Sequence, residues 1–146
     1  MARLRLTHIG ICVSDWRRSL RFYQEGLGFH PAGELLVKGG PAAALLRLAD
    51  VSLRALYLER DGVRIELLHY DSPGHEGDGS PRAMNRLGLT HLSLRVDDLD
   101  AMLGPLEACG GRILRDTRIE PQPGTKVIFA TDPDGTLVEL VQQPGG

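Results

Sequence analysis

Two histidines and two glutamates in this sequence have surroundings that suit chemistry. His8 and His91 each follow a threonine at the start of an apolar stretch, and Glu66 and Glu139 each lie inside an apolar run a few residues after an Asp-Gly pair. Burying a carboxylate costs several kcal/mol unless it is paired or bound to a metal ion. Imidazoles carry protons and bind metals. The four residues are therefore candidates for acid–base or metal chemistry.

These residues recur because the chain contains an internal repeat. Residues 7–13 resemble residues 90–96, and residues 61–67 resemble residues 134–140. The first copy is longer than the second, and its additional residues are predicted near 39–44. Each copy thus begins with a histidine and ends with a glutamate.

The hydropathy pattern gives both copies the same order of elements. Alternating polarity around β-branched residues predicts a first strand, a four-and-three spacing of apolar residues then predicts a helix, and three further strands follow. Pro105 lies inside the second helix and is predicted to kink or shorten it. The first strands are expected at residues 4–13 and 89–96, and the later ones at 29–37, 51–60, 62–70, 112–119, 125–131 and 136–142.

Two βαβββ units of this size cannot each bury a sheet face alone, so they are predicted to form one α+β domain over residues 1–146. The repeats are placed at about 4–70 and 88–142, with a linker at 71–87. The expected fold is a curved mixed sheet around a concavity. Strand alternation puts His8 and His91 on the concave face, opposite the helix-facing residues.

Composition narrows the class of protein. The chain has 146 residues, 25% of them charged, with 17 basic against 19 acidic side chains and a net charge of −2. This charge gives no basic excess for nucleic acid, and no apolar run approaches the ~18 residues of a membrane span. Cys12 and Cys109 form no disulfide framework and are expected to be buried thiols. We expect a cytoplasmic protein that binds a small molecule, neither nucleic acid nor membrane.

Each candidate also has a structural interpretation. A single strand histidine is more often a core or surface group than a ligand, and a glutamate can pair with an arginine such as Arg64 or Arg95. Recurrence of all four residues in repeat register favours a shared role.

The repeated arrangement resembles the vicinal oxygen chelate superfamily, which includes glyoxalase I, methylmalonyl-CoA epimerase, extradiol dioxygenases and bleomycin and fosfomycin resistance proteins. The resemblance covers about residues 4–142. It implies that His8, Glu66, His91 and Glu139 bind a divalent ion (Ni, Co, Zn, Mn or Fe), similar to nickel-type or cobalt-type glyoxalase I. Two imidazoles and two carboxylates leave two octahedral positions for a substrate that chelates through adjacent oxygens.

The resemblance implies a glyoxalase-like lyase or isomerase. The ion would polarise a carbonyl, and Glu139 or Glu66 would remove the neighbouring proton to give an enediolate. In glyoxalase I an arginine that binds glutathione lies shortly after the first histidine, and this chain has none there. A different thiol adduct, a CoA ester or a small hydroxy-ketone therefore stays open as substrate.

Three alternatives stand beside this interpretation. Methylmalonyl-CoA epimerase shares the proton-transfer chemistry. An extradiol dioxygenase would need three open iron positions, and a fourth ligand, Glu66, leaves too few. A drug-binding protein without enzymatic activity would use stacking aromatics, whereas this chain is 5% aromatic. The resemblance also implies a homodimer, for which the apolar residues 42–46 could supply an interface.

Overall fold

The computed structural model describes residues 1–145 and contains two four-stranded mixed sheets with short helices. In the first sheet the strands follow the spatial order β1-β4-β3-β2, and in the second the order is β5-β8-β7-β6. The strands are β1 (Ile9–Cys12), β2 (His30–Lys38), β3 (Ser52–Arg60), β4 (Val63–Ser72), β5 (His91–Arg95), β6 (Arg112–Gln122), β7 (Thr125–Thr131) and β8 (Leu137–Gln142). The helices are α1 (Trp16–Leu20), continued by a π-helical segment (Arg21–Gly26), α2 (Gly40–Leu46) and α3 (Leu99–Ala108).

This architecture confirms the predicted α+β class with two βαβββ repeats. The predicted strands lie where the alternation placed them, but β1 and β5 begin later than expected. The leucines that precede them, Leu4, Leu6, Leu87 and Leu89, are exposed. The additional residues of the first copy form α2, none of whose residues is fully buried.

The chain forms two compact units that do not coincide with the two repeats. The first contains Met1–Arg17 and Gly28–Glu76, and the second contains Arg18–Leu27 and the chain from Gly77 onward. Most of α1 and all of its π-helical continuation therefore group with the second repeat, whereas α2 stays with the first. The predicted single domain over 1–146 stays a prediction.

The two sheets share one pairing pattern. We call β1, which directly follows His8, and β5, which begins with His91, the histidine strands, and β4 and β8 the glutamate strands. The histidine strand is parallel to the glutamate strand in both sheets, with Gly10 opposite Glu66 and Ser93 opposite Glu139. Alternation along β1 buries Ile11 and exposes Cys12. The prediction that both cysteines are buried is therefore wrong: Cys12 is exposed on the His8 face, and Cys109 is half-buried.

Helix α3 runs through Pro105 to Ala108, so the proline does not end the helix; the predicted kink stays a prediction. The residue before the proline, Gly104, has no Cβ to clash with the proline ring. The carbonyl of exposed Ala101, which loses its helical donor, can be hydrated instead. Asp98 caps the helix by accepting the Ala101 N–H at 3.1 Å, as the sequence indicated for Asp97 or Asp98.

A buried polar network fixes the turn before β8. The Tyr23 hydroxyl donates to Asp132 Oδ2 at 2.9 Å, and both side chains are almost fully buried. Asp132 Oδ1 accepts the backbone N–H groups of Asp134 and Thr136. Burial raises the pKa of Asp132, and it raises the pKa of Tyr23 well above its ordinary value. This network holds the strand that carries Glu139.

None of the helices in the described part of the chain is both long enough and apolar enough to span a bilayer.

Tyr23→Phe is expected to lower the free energy of unfolding by about 1–3 kcal/mol, because it leaves a buried acceptor on Asp132 without its donor. Urea unfolding of Tyr23→Phe, Asp132→Asn and the double variant measures the coupling between the two side chains. An equal cost of Tyr23→Phe with and without Asp132 would show that this hydrogen bond is not the source of the stability.

Candidate metal centre

The first unit brings His8 and Glu66 into direct contact. His8 Nε2 lies 2.7 Å from Glu66 Oε2, and the other carboxylate oxygen accepts the Tyr57 hydroxyl at 3.1 Å. The His8 and Tyr57 rings meet edge to face, with centroids 5.5 Å apart. The Glu66 side chain is only 13% exposed, so its charge needs these partners.

Strand register produces this cluster. Glu66 on β4 lies between Gly10 on β1 and Tyr57 on β3. His8 precedes Gly10 by two residues and so shares its face of the strand. The imidazole contacts Glu66 diagonally, since Glu66 is opposite Gly10 and not opposite His8 in the strand register.

The second unit repeats the register with different side chains. Glu139 on β8 lies between Ser93 on β5 and Phe129 on β7. Its Oε1 accepts the Ser93 hydroxyl at 2.7 Å. His91 packs edge to face on Phe129, again with centroids 5.5 Å apart. Each unit therefore holds one histidine, one aromatic ring and one hydroxyl-bonded glutamate.

A threonine fixes each imidazole. Thr7 Oγ1 lies 3.0 Å from His8 Nδ1, and Thr90 Oγ1 lies 2.8 Å from His91 Nδ1. A hydroxyl can donate to Nδ1 or accept from it, so this contact serves either tautomer. Nδ1 is thus occupied in both histidines, and Nε2 is the ring nitrogen left for another partner.

The tyrosines near Glu66 keep their protons at neutral pH. Burial, followed by the hydrogen bond to Glu66, raises the pKa of Tyr57. Burial also raises the pKa of Tyr70 on the same strand as Glu66. Tyr57 therefore acts toward Glu66 as a neutral donor.

The other polar groups near these clusters have separate partners. Arg64 Nε donates to Glu59 Oε1 at 2.7 Å. Arg64 therefore pairs with Glu59, and the alternative in which it pairs with a candidate glutamate is wrong. His69 contacts Asp71 and the Val13 carbonyl.

Each unit contributes one imidazole and one carboxylate, which are donors of metal-binding type. His8 and Glu66 touch, whereas His91 and Glu139 contact Phe129 and Ser93 respectively. Over residues 1–145, no group of three or more His, Cys, Asp and Glu side chains could hold an ion. The set of His8, Glu66, His91 and Glu139 as common ligands stays a prediction, supported by its nitrogen and carboxylate chemistry.

Sequence reasoning missed the hydroxyl groups of Tyr57 and Ser93. Both positions carried a signal: residue 93 aligns with Gly10 in the repeated stretch, and the aromatic residues 57 and 129 precede the repeated Asp-Gly turns. Nothing in the sequence alone specified that these side chains would flank the glutamates, because this depends on strand register.

Comparison with known proteins gives the family. The model of the Glyoxalase/Bleomycin resistance protein/Dioxygenase superfamily matches residues 5–140, and the chain belongs to this superfamily. A protein of Synechocystis sp. named "Probable lactoylglutathione lyase" is 33% identical over 141 residues, covering 94% of both chains.

Solved structures share the fold. A glyoxalase family protein from Bacillus cereus superposes with a TM-score of 0.82 at 20% identity, covering 98% of this chain and 97% of its own. The fosfomycin resistance protein FosX of Listeria monocytogenes, crystallised with Mn(II) and sulfate, gives a TM-score of 0.57 at 17% identity and covers 96% and 93%.

Proposed function

We propose that this protein is a divalent-metal-dependent enzyme of the glyoxalase type, a lyase or isomerase that moves a proton next to a substrate carbonyl. The duplicated cluster carries the proposal: each unit presents an imidazole whose Nδ1 contacts a threonine hydroxyl, and a half-buried carboxylate that accepts a hydrogen bond from a hydroxyl. Similarity to a probable lactoylglutathione lyase supports the reaction class.

His8, Glu66, His91 and Glu139 are the proposed ligands. Two nitrogens and two carboxylate groups suit Ni, Co, Zn, Mn or Fe, and this mixed set does not select sharply among them. When bound, the ion would polarise a carbonyl and its neighbouring hydroxyl and lower the pKa of the adjacent C–H.

The glutamates are the proposed proton carriers. A carboxylate of Glu66 or Glu139 accepts the proton from one carbon and returns it to the neighbouring carbon, so that the substrate is isomerised without net loss of atoms. An epimerase of methylmalonyl-CoA type would return the proton to the same carbon from the other face. Solvent exchange at the reacting carbon detects both reactions, and the product separates them.

We also propose a homodimer. No residue of helix α2 is fully buried within the chain, and Leu45 on it is 83% exposed. A second copy would remove this apolar surface from water.

The first prediction concerns metal content. The purified protein is expected to bind about one divalent ion per chain, and His8→Ala and His91→Ala should each weaken binding by more than about 100-fold, beyond the loss typical of residues that only support a ligand. Calorimetry with Mn(II) or Co(II) measures this. His75→Ala, at an exposed histidine outside both clusters, is the control. Full retention of metal by the double variant His8→Ala/His91→Ala would contradict the ligand assignment.

The second prediction concerns proton transfer. Glu139→Gln or Glu66→Gln keeps an oxygen for the metal but removes most basicity, so the variant that replaces the base should retain metal and lose at least ~100-fold in exchange rate. Deuterium uptake from solvent is followed in α-hydroxy carbonyls, thiol adducts and CoA esters.

Glu107→Gln, at an exposed carboxylate that bonds Arg115, is the matched control for this assay. Exchange at the parent rate in both site variants would show that neither glutamate is the base. No exchange by the parent on any of these substrates would favour a binding protein.

The third prediction concerns assembly. Light scattering at micromolar concentration is expected to give twice the chain mass of 15.9 kDa. Leu45→Glu should shift the mass toward the monomer, because it places a charge in the proposed apolar interface. A parent protein of monomer mass would refute the dimer.

A further inference from the structure

The hydroxyl groups that donate to the two glutamates belong to neighbouring strands on opposite sides of the glutamate strand. Glu66 receives its hydrogen bond from Tyr57, on the antiparallel neighbour β3, at 3.1 Å. Glu139 receives its hydrogen bond from Ser93, on the parallel neighbour β5, at 2.7 Å. One carboxylate oxygen is thus held in both units, but by different strands.

The positions themselves correspond between the units. Each glutamate has a partner on the histidine strand, Gly10 or Ser93, and a partner on the antiparallel strand, Tyr57 or Phe129. The unit that lacks a side chain on the histidine strand has a phenol on the other strand. The unit with a plain phenyl ring has a serine on the histidine strand. The hydroxyl donor therefore lies on β3 in the first unit and on β5 in the second, and the glutamate accepts a hydrogen bond from a hydroxyl in both.

Packing at Gly10 disfavours a donor on the histidine strand of the first unit. A Cβ added at Gly10 would lie 3.3 Å from the Leu68 side chain, closer than ordinary contact, so a serine there would require Leu68 to move. The ring at residue 57 or 129 packs on the histidine in either unit, and only the phenol adds a donor.

Holding one oxygen orients the other. A hydrogen bond to a carboxylate is among the stronger ones and restricts rotation of the group. In the first unit Oε1 accepts from Tyr57 while Oε2 lies 2.7 Å from His8 Nε2, the nitrogen that a metal would use. In the second unit Ser93 holds Oε1 of Glu139, which leaves Oε2 for another partner.

We propose that Tyr57 and Ser93 are equivalent positioning residues, which orient Glu66 and Glu139 for metal binding by donating one hydrogen bond to each carboxylate. This inference rests on the proposed metal site. Each carboxylate requires one hydroxyl donor, and either neighbouring strand can supply it.

The test measures binding of Mn(II) or Co(II) alone by calorimetry, with the visible spectrum of the Co(II) form as a second readout of ligand geometry. Tyr57→Phe and Ser93→Ala are each expected to weaken binding by about 10-fold, as typical of groups that orient a metal ligand. The double variant Ser93→Ala/Phe129→Tyr gives the second unit the phenol donor of the first. It should restore metal affinity to within about threefold of the parent, a smaller loss than the roughly 10-fold or more expected when the donor is missing.

Matched controls separate orientation from general packing. Tyr70→Phe removes a phenol on the strand of Glu66, and Ser80→Ala removes an exposed hydroxyl in the second unit; both should bind metal as the parent does. Ser93→Thr keeps a hydroxyl and provides a second rescue if the double variant fails to fold. Urea unfolding without metal reports any structural cost separately.

The outcomes are distinguishable. Failure of the parent to bind either ion overturns the proposed metal site, and this inference with it. Normal binding by the parent together with unchanged affinity of Tyr57→Phe and Ser93→Ala overturns the positioning role alone. Weak binding by Ser93→Ala that neither Phe129→Tyr nor the threonine variant restores also overturns it, because the hydroxyl would then not be the group required.

Discussion

The parallel pairing of a histidine strand with a glutamate strand is the constraint on which each unit depends. It places Glu66 opposite Gly10 and Glu139 opposite Ser93, and each glutamate has apolar neighbours on both sides in its own strand. A carboxylate in such a strand is stable only when partners replace its lost water. In the first unit a diagonal histidine supplies one partner and a hydroxyl supplies another.

The rest of each sheet keeps this pairing in place. In the first sheet, a tight turn with positive φ at Asp61 and Gly62 joins β3 to β4 and so sets the register of Tyr57 against Glu66. In the second, the buried carboxylate of Asp132 organises the turn before β8 and accepts a hydrogen bond from Tyr23. The helical residue Tyr23 belongs to the first repeat in sequence, so duplication of the sequence did not produce two self-contained copies.

The duplicated clusters link the superfamily's fold to the proposed chemistry. A metal site that is to remain open to substrate needs ligands whose orientation does not depend on the substrate. Threonine hydroxyls on both imidazoles and hydroxyls on both carboxylates provide that orientation within each unit. The two glutamates nevertheless differ in their neighbours on the antiparallel strand, since Tyr57 lies opposite Glu66 and Phe129 lies opposite Glu139.

Sequence alone determined the βαβββ order, most strand positions and the four candidate residues, because alternation, turn residues and repetition are local signals. Only the tertiary structure decided the donors Tyr57 and Ser93, the exposure of Cys12, and the grouping of residues 18–27 with the second repeat. It also decided that α3 continues through Pro105. These features depend on register and on contacts between residues distant in sequence, which local patterns do not encode.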